Sequence, residues 1–126
     1  MQSYQNRVEN TILTPSFDAV YARALTSLGE EMSEPLPGAS IGSSDVGNVS
    51  QVVPTIQPTI SITDVPTPWH TEASKAAARS EKGLASIALG AKALALTAVE
   101  LLCDPDLLAA IKRDHRQALE RQRQGI

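Results

Sequence analysis

The sequence predicts an α/β fold in the order helix, loop, one or two strands, loop, long helix and helix. Apolar residues recur at every third or fourth position in three segments, which is typical of helices that bury one face. After the first of these segments comes a run rich in valine, isoleucine and threonine, the residue types that favour strands. Glycine, serine and proline are concentrated between the segments and indicate loops.

The first helix is predicted between Thr14 and Gly29. Thr14 or Ser16 can cap its start, with Pro15 in the first turn, and Gly29 suits the left-handed conformation just past a helix end. One apolar stripe would face the core, formed by Phe17, Val20, Tyr21, Ala24, Leu25 and Leu28.

A strand region is predicted over residues 49–63, "VSQVVPTIQPTISIT", after a loop over residues 30–45. Pro54 and Pro58 have no N–H to donate, so this region forms two short strands or one strand broken near a sheet edge. A lone strand leaves its backbone groups unpaired, and residues 7–13 could supply only a marginal partner. The chain therefore resembles a piece cut from a larger sheet.

Two helices are predicted towards the C-terminus. The last one begins at Asp104 and Pro105, a cap and first-turn pair, and its polar tail after Arg116 is expected to fray. The alanine-rich stretch from Leu84 to Cys103 forms the other, with Cys103 as a small buried residue. Its small residues favour close packing against a sheet or another helix, through a face made of Leu84, Ile87, Ala88, Ala91, Leu94, Ala95, Ala98, Leu101 and Leu102.

Composition excludes several classes of function. The chain has 126 residues, a net charge of −3 and no basic cluster, so we expect no nucleic-acid partner. A single cysteine rules out a disulfide framework. We also expect no membrane span, because no run of 18 apolar residues occurs, and the start of the chain lacks the pattern of a signal peptide. The cytoplasm is the expected compartment.

The loop formed by Gly42, Ser43, Ser44 and Asp45 precedes the strand region and is one candidate site. Its backbone N–H groups and hydroxyls could bind an anion such as a carboxylate. The alternative is an ordinary turn, because these residue types are common in turns for local reasons. Residues 48–50 match the glycosylation pattern, which we interpret as incidental.

His70 is a second candidate, at the junction between a loop and a helix. Its neutral imidazole could bind zinc; the alternatives are a surface histidine or a helix cap. Zinc needs three or four ligands, and the other histidine, His115, is interpreted as lying on a solvated helix face. The adjacent Glu30 and Glu31 are interpreted as solvated carboxylates rather than a general base.

Three strings taken together carry a family resemblance: "IGSSDVGNVSQVVPTIQPTISI", "HTEAS" and "GLASIALGAKALALTAVELLCDPDLL". They resemble the C-terminal portion of the aminoacylase and carboxypeptidase family of co-catalytic zinc amidohydrolases. The nearest branch is that of the aminoacylase-like dipeptidases and the p-aminobenzoyl-glutamate hydrolase B subunits. The resemblance runs from about residue 17 to residue 108.

The resemblance implies a C-terminal fragment of a zinc-peptidase catalytic domain. Residues 1–29 would end the preceding dimerisation domain, and residues 30–126 would belong to the catalytic domain. It further implies that His70 is a zinc ligand and that residues 42–45 line the side of the cleft that binds the substrate carboxylate. The family's HxD pattern and paired glutamates have no counterpart in this sequence, so no catalytic residue is assigned.

The predicted function is therefore the C-terminal part of a zinc-dependent amidohydrolase acting on a dipeptide or an N-acyl amino acid. The intact family enzyme would hold two zinc ions, and this chain would supply one ligand at most and be inactive alone. The alternative is a non-catalytic interaction module, a truncated paralogue that pairs with a partner chain or forms a homo-oligomer. A degraded, poorly folding gene product is a third reading.

Overall fold

The computed structural model describes residues 7–32 and 42–125, which contain five helices and no strand. The α/β prediction is therefore wrong for the described residues. The helices are α1 (Pro15–Ser27), α2 (Val46–Ser50), α3 (Glu72–Ala78), α4 (Glu81–Cys103) and α5 (Pro105–Gln124). Helix α1 packs against both α4 and α5, α4 also contacts α5, and α3 packs beside α4.

The predicted strand region contains the end of α2, and residues 51–70 after it have no regular secondary structure. A strand needs a neighbouring backbone to pair with, and Pro54 and Pro58 cannot donate to one. Residues 7–14 also lie outside any helix or strand. Their backbone groups are bound by side chains of the α2 region instead of by a second strand.

The local signals for helix ends are largely confirmed. Gly29 has a φ of 84° just past α1, and the Asp104 carboxylate accepts a hydrogen bond of 2.9 Å from the Leu107 N–H at the start of α5. Pro15 is the first residue of α1. The expected fraying is wrong, because α5 continues to Gln124 and ends at the left-handed Gly125. The polar tail stays helical here because residues 117–124 add only about two turns to a helix that is already packed through Ile111 and His115.

The small core lies where α1 meets α4. Tyr21 and Leu25 of α1 are buried against Ala93 of α4, as the apolar stripe predicted. Partly buried residues of this cluster are Leu28, Ile56 and Leu89. Because Ala93 is fully buried and small, the bulky side chains of α1 can approach the α4 backbone closely.

Helix α4 uses a different face from the predicted one. Its buried residues are Gly83, Ala93 and Thr97, whereas the leucines and the isoleucine of the predicted face are mostly exposed. Cys103 is exposed as well, so its predicted burial is wrong. By length and composition α4 could cross a membrane, and only 11% of its most apolar stretch is buried. The absence of a membrane partner stays a prediction.

Candidate functional site

The candidate loop lies at the surface immediately before α2. Gly42, Ser43 and Asp45 are exposed, and Gly42 has a left-handed φ of 80°. Ser44 is half-buried, and its Oγ accepts hydrogen bonds from the Val46 N–H at 3.2 Å and from Gln57 Nε2 at 3.3 Å. These contacts make the loop an ordered turn, and they leave the carboxylate-binding role as a prediction.

His70 is exposed and has a φ of 60°. Among the described residues other than glycine, it is the one with a positive φ. The left-handed region is sparsely populated by residues with a side chain, although histidine adopts it more often than most. The helix that follows is capped by Thr71, whose Oγ1 accepts from the Ser74 N–H at 3.2 Å. His70 is therefore not the cap of α3, and its backbone is strained at the position just before the capping residue.

The described residues do not bring the two candidate sites into one centre. No hydrogen bond in the described part of the chain joins His70 to Ser43, Ser44 or Asp45. Nor do three or more His, Cys, Asp or Glu side chains of the described residues lie together as a group that could hold a metal ion. Residues 7–32 and 42–125 alone thus do not fit a complete zinc centre.

The α2 region clamps the N-terminal segment through side-chain amides. Asn48 accepts from the Glu9 N–H at 3.1 Å and donates from Nδ2 to the Arg7 carbonyl oxygen at 2.9 Å. Gln51 donates from Nε2 to the Asn10 carbonyl oxygen at 2.6 Å. These bonds replace the ladder that a neighbouring strand would provide, so they hold residues 7–12 against α2.

A buried network extends this clamp to α5. Ser50 is fully buried, and its Oγ accepts from the Ile12 N–H at 2.9 Å and donates to the Gly47 carbonyl oxygen at 2.6 Å. His115 Nε2 lies 2.6 Å from the Ser50 carbonyl oxygen. Because a carbonyl oxygen only accepts, Nε2 is the donor of this hydrogen bond.

Sequence reasoning missed this network. His115 is 4% exposed, so the solvated helix face predicted for it is wrong. The run at residues 48–50, whose match to the glycosylation pattern we interpret as incidental, contributes Asn48 to the clamp and Ser50 to the buried network. The only local signal was a cluster of short polar side chains beside a glycine, which also describes ordinary turns. The solvated interpretation of Glu30 and Glu31 is confirmed, since both are exposed.

The N-terminus of α1 is capped from α5 rather than by its own N-cap residue. One carboxylate oxygen of Asp114, Oδ2, accepts from the Ser16 Oγ at 2.7 Å and from the Ser16 N–H at 3.2 Å. The hydrogen bond from the Ser16 hydroxyl is the main cause that lowers the pKa of Asp114, and desolvation opposes it. Thr14, at the predicted cap position, has a buried Oγ1 without a hydrogen-bond partner in the described part of the chain.

Comparison with known proteins relates the chain to a dipeptidase. The relative is Xaa-Arg dipeptidase of Homo sapiens, which is 40% identical over 81 residues, corresponding to 64% of this chain and 18% of that relative. The chain thus spans less than a fifth of the relative it matches. No family model matches the chain.

The length of the match is enough to show that it includes the candidate residue His70. Any stretch of 81 consecutive residues in a chain of 126 contains residues 46–81, so the match includes His70 and the whole of α2. The similarity supports the dipeptidase part of the sequence prediction. Zinc, the site residues, the domain boundary after residue 29 and the cytoplasmic location stay predictions.

Proposed function

We propose that this chain supplies the C-terminal part of a dipeptidase-like amidohydrolase that cleaves the amide bond of a dipeptide or an N-acyl amino acid. In this proposal the imidazole of His70 is one ligand of a zinc centre. Gly42, Ser43, Ser44 and Asp45 contact the carboxylate of the substrate.

The observation that carries the proposal is the 40% identity to a dipeptidase over a stretch that includes His70. The conformation of His70 supports it. Holding a residue with a side chain at a φ of 60° costs about 1–3 kcal/mol, and such strain clusters at functional sites. The exposed ring is also accessible to a metal ion whose other ligands would come from other parts of an enzyme.

The described residues limit what the chain does alone. Since they contain no group of three metal-binding side chains, the remaining ligands and the general base would have to come from outside the described residues. One imidazole binds zinc weakly, so we expect the isolated chain to bind no zinc tightly and to hydrolyse no peptide.

The test is a chimera with the human relative. The 81 matched residues of Xaa-Arg dipeptidase are replaced by those of this chain, and both hydrolysis of a dipeptide ending in arginine and zinc content are measured. We expect the chimera to retain activity. His70→Ala should lower activity by about 100-fold or more and reduce bound zinc, because even outer-shell partners of metal ligands cost 10–100-fold.

Lys75→Ala is the matched control, because Lys75 is exposed five positions away and pairs only with the exposed Glu72 in the described structure. It should leave activity and zinc content unchanged. A folded chimera in which His70→Ala retains both would show that His70 is not a ligand. A folded chimera without any hydrolysis would contradict the dipeptidase proposal itself.

A second candidate is a non-catalytic interaction module that pairs with a partner chain. The observation that favours it is the exposed apolar surface of α4, which is unusual for a stable monomer. This candidate predicts association of the isolated chain with no dependence on metal.

A further inference from the structure

The strained backbone of His70 lies between two points that a single hydroxyl holds. Oγ1 of Thr71 donates a hydrogen bond of 2.8 Å to the Pro68 carbonyl oxygen and accepts one of 3.2 Å from the Ser74 N–H. The first bond crosses the turn that contains His70, and the second fixes the start of α3. Because the ring of Pro68 also fixes its own φ, the chain is held on both sides of His70.

The backbone of Thr71 is held as well. Its N–H donates to the Ser74 Oγ at 3.1 Å, and its carbonyl oxygen accepts from that hydroxyl at 2.9 Å and from the Lys75 N–H at 3.1 Å. Each polar group of Thr71 therefore has a partner, although the residue is exposed. A sparsely populated conformation persists only where its surroundings over-determine it, and these bonds supply that constraint beside the left-handed His70.

The start of α4 shows that this type of cap does not itself require a strained residue. Ser80 makes the same pair of hydrogen bonds, donating to the Ala77 carbonyl oxygen at 2.7 Å and accepting from the Gly83 N–H at 3.1 Å. The residue before it, Arg79, has an ordinary φ of −96°. The left-handed conformation before Thr71 is therefore not a by-product of capping a helix.

We propose that Thr71 is a positioning residue, whose hydroxyl keeps the turn closed and thereby keeps His70 in the left-handed conformation. This inference rests on the proposed function, in which the imidazole of His70 binds zinc. A change of φ from positive to negative swings the Cα–Cβ bond to another side of the chain, and the ring moves with it. Without the hydroxyl the left-handed conformation becomes a minor one, and the apparent affinity for zinc falls with its population.

The first measurement is made on the metal-free chain of 126 residues. The one-bond Cα–Hα coupling of His70 in NMR distinguishes a positive from a negative φ. It should report a positive φ in the wild-type chain. In Thr71→Val, which keeps the β-branched shape but has no hydroxyl, it should shift towards the value for a negative φ. Thr71→Ser retains the hydroxyl and should keep the wild-type coupling.

A second substitution separates closure of the turn from capping of the helix. Thr71→Asp can still accept from the Ser74 N–H, as good N-cap residues do, but its carboxylate cannot donate to the Pro68 carbonyl oxygen. It should therefore keep α3 and still shift the coupling of His70. Ser80→Ala is the matched control, because it removes the same pair of bonds at α4 and should leave the coupling of His70 unchanged.

Zinc affinity is measured in the chimera with the human relative, by competition with a chelator. Thr71→Val should raise the zinc dissociation constant by about 5–30-fold, the ratio by which residues with a Cβ disfavour the left-handed region. In the His70→Ala background it should add no further loss, because Thr71 acts only through His70. Thr71→Ser and Ser80→Ala should both bind zinc as tightly as the unsubstituted chimera.

Several results would overturn the positioning role. One is a negative φ of His70 in the wild-type chain, and another is an unchanged coupling in both Thr71→Val and Thr71→Asp. A shifted coupling with unaltered zinc affinity would show that the conformation does not matter for binding. A further loss of zinc in the His70→Ala background, or an equal loss in Ser80→Ala, would replace positioning by a general structural role. If His70→Ala alone leaves zinc binding unchanged, the proposed function fails, whereas the coupling still decides whether Thr71 holds the backbone of His70.

Discussion

Substituting Gly47 by alanine tests the clamp between α2 and the N-terminal segment. A Cβ at this position would lie 2.0 Å from the Glu9 carbonyl oxygen and 3.1 Å from its carbonyl carbon. Ordinary contact is more than 1 Å longer, so the segment must move away from α2. The backbone oxygen of Glu9 cannot rotate aside as the tip of a side chain can.

The structure sets the size of the effect. A shift of that extent stretches the four hydrogen bonds that Asn48, Ser50 and Gln51 make to the N-terminal segment, which now span 2.6–3.1 Å. Each is worth about 0.5–1.5 kcal/mol, and overpacking typically costs 1–3 kcal/mol. Allowing for a gain of about 0.5–1 kcal/mol in helix propensity, we expect Gly47→Ala to lower the free energy of unfolding by about 2–4 kcal/mol.

Urea unfolding followed by circular dichroism measures this loss. With a slope of roughly 1–3 kcal/mol per molar urea, the midpoint should fall by about 1–2 M. Gly90→Ala is the matched control in a helix interior, because its Cβ would meet only the flexible end of Ile60, 3.0 Å away. That variant should be unchanged or up to about 1 kcal/mol more stable. An unaltered midpoint for Gly47→Ala would refute the reasoning.

Two further predictions concern the start of α1. The lowered pKa of Asp114 means that its carboxylate stabilises the fold above the unfolded value near 3.8, and this contribution is lost as the pH falls through the lower folded pKa. Asp114→Asn should therefore be less stable than wild type at pH 7. In thermal unfolding, the difference in stability should vanish at a pH below the folded pKa of Asp114. A difference that stays constant at all pH values would argue against the cap. Thr14→Val removes a buried hydroxyl that lacks a partner in the described residues and keeps the volume, so the free energy of unfolding should rise by about 1 kcal/mol. A loss of stability in urea would show that Oγ1 is hydrogen-bonded.

The strand prediction failed because strand propensity is a statement about a pleated, paired surface. Residues 51–63 carry the right residue types, but no backbone edge of the described chain is there to receive them. In the structure residues 51–63 have no regular secondary structure, and residues 7–12 lie against the short helix α2 instead. Gly47 allows the close approach of Glu9 at this point, and Asn48 and Gln51 supply the hydrogen bonds.

The buried face of α4 was beyond prediction for a related reason. Apolar residues surround this helix on nearly every side, so its pattern does not single out one face. The structure buries the face with Ala93, because Tyr21 and Leu25 need a small neighbour to pack against. The larger apolar residues of α4 are left exposed, among them Leu84, Ile87, Leu94 and Leu102.

The candidate site shows the same division. The sequence places His70 at the junction between a proline-rich loop and a helix, and the structure confirms that position. The left-handed backbone of His70 comes only from the structure. His115 had no local signal for burial, since a polar helix with acidic and basic neighbours normally faces water. Its burial depends on the Ser50 carbonyl oxygen, 65 positions away in the chain.

The sequence by itself determined both ends of α1, the end of α4 and the start of α5, because prolines, capping residues and glycines act within a turn of where they stand. It also determined which face of α1 is buried. The opposite face is polar, so only one apolar stripe is available to pack against other helices. Tertiary structure decided which face of α4 is buried, where His115 lies and what residues 51–70 become. Those outcomes depend on which surfaces and hydrogen-bond partners distant segments offer, and local sequence carries no information about them.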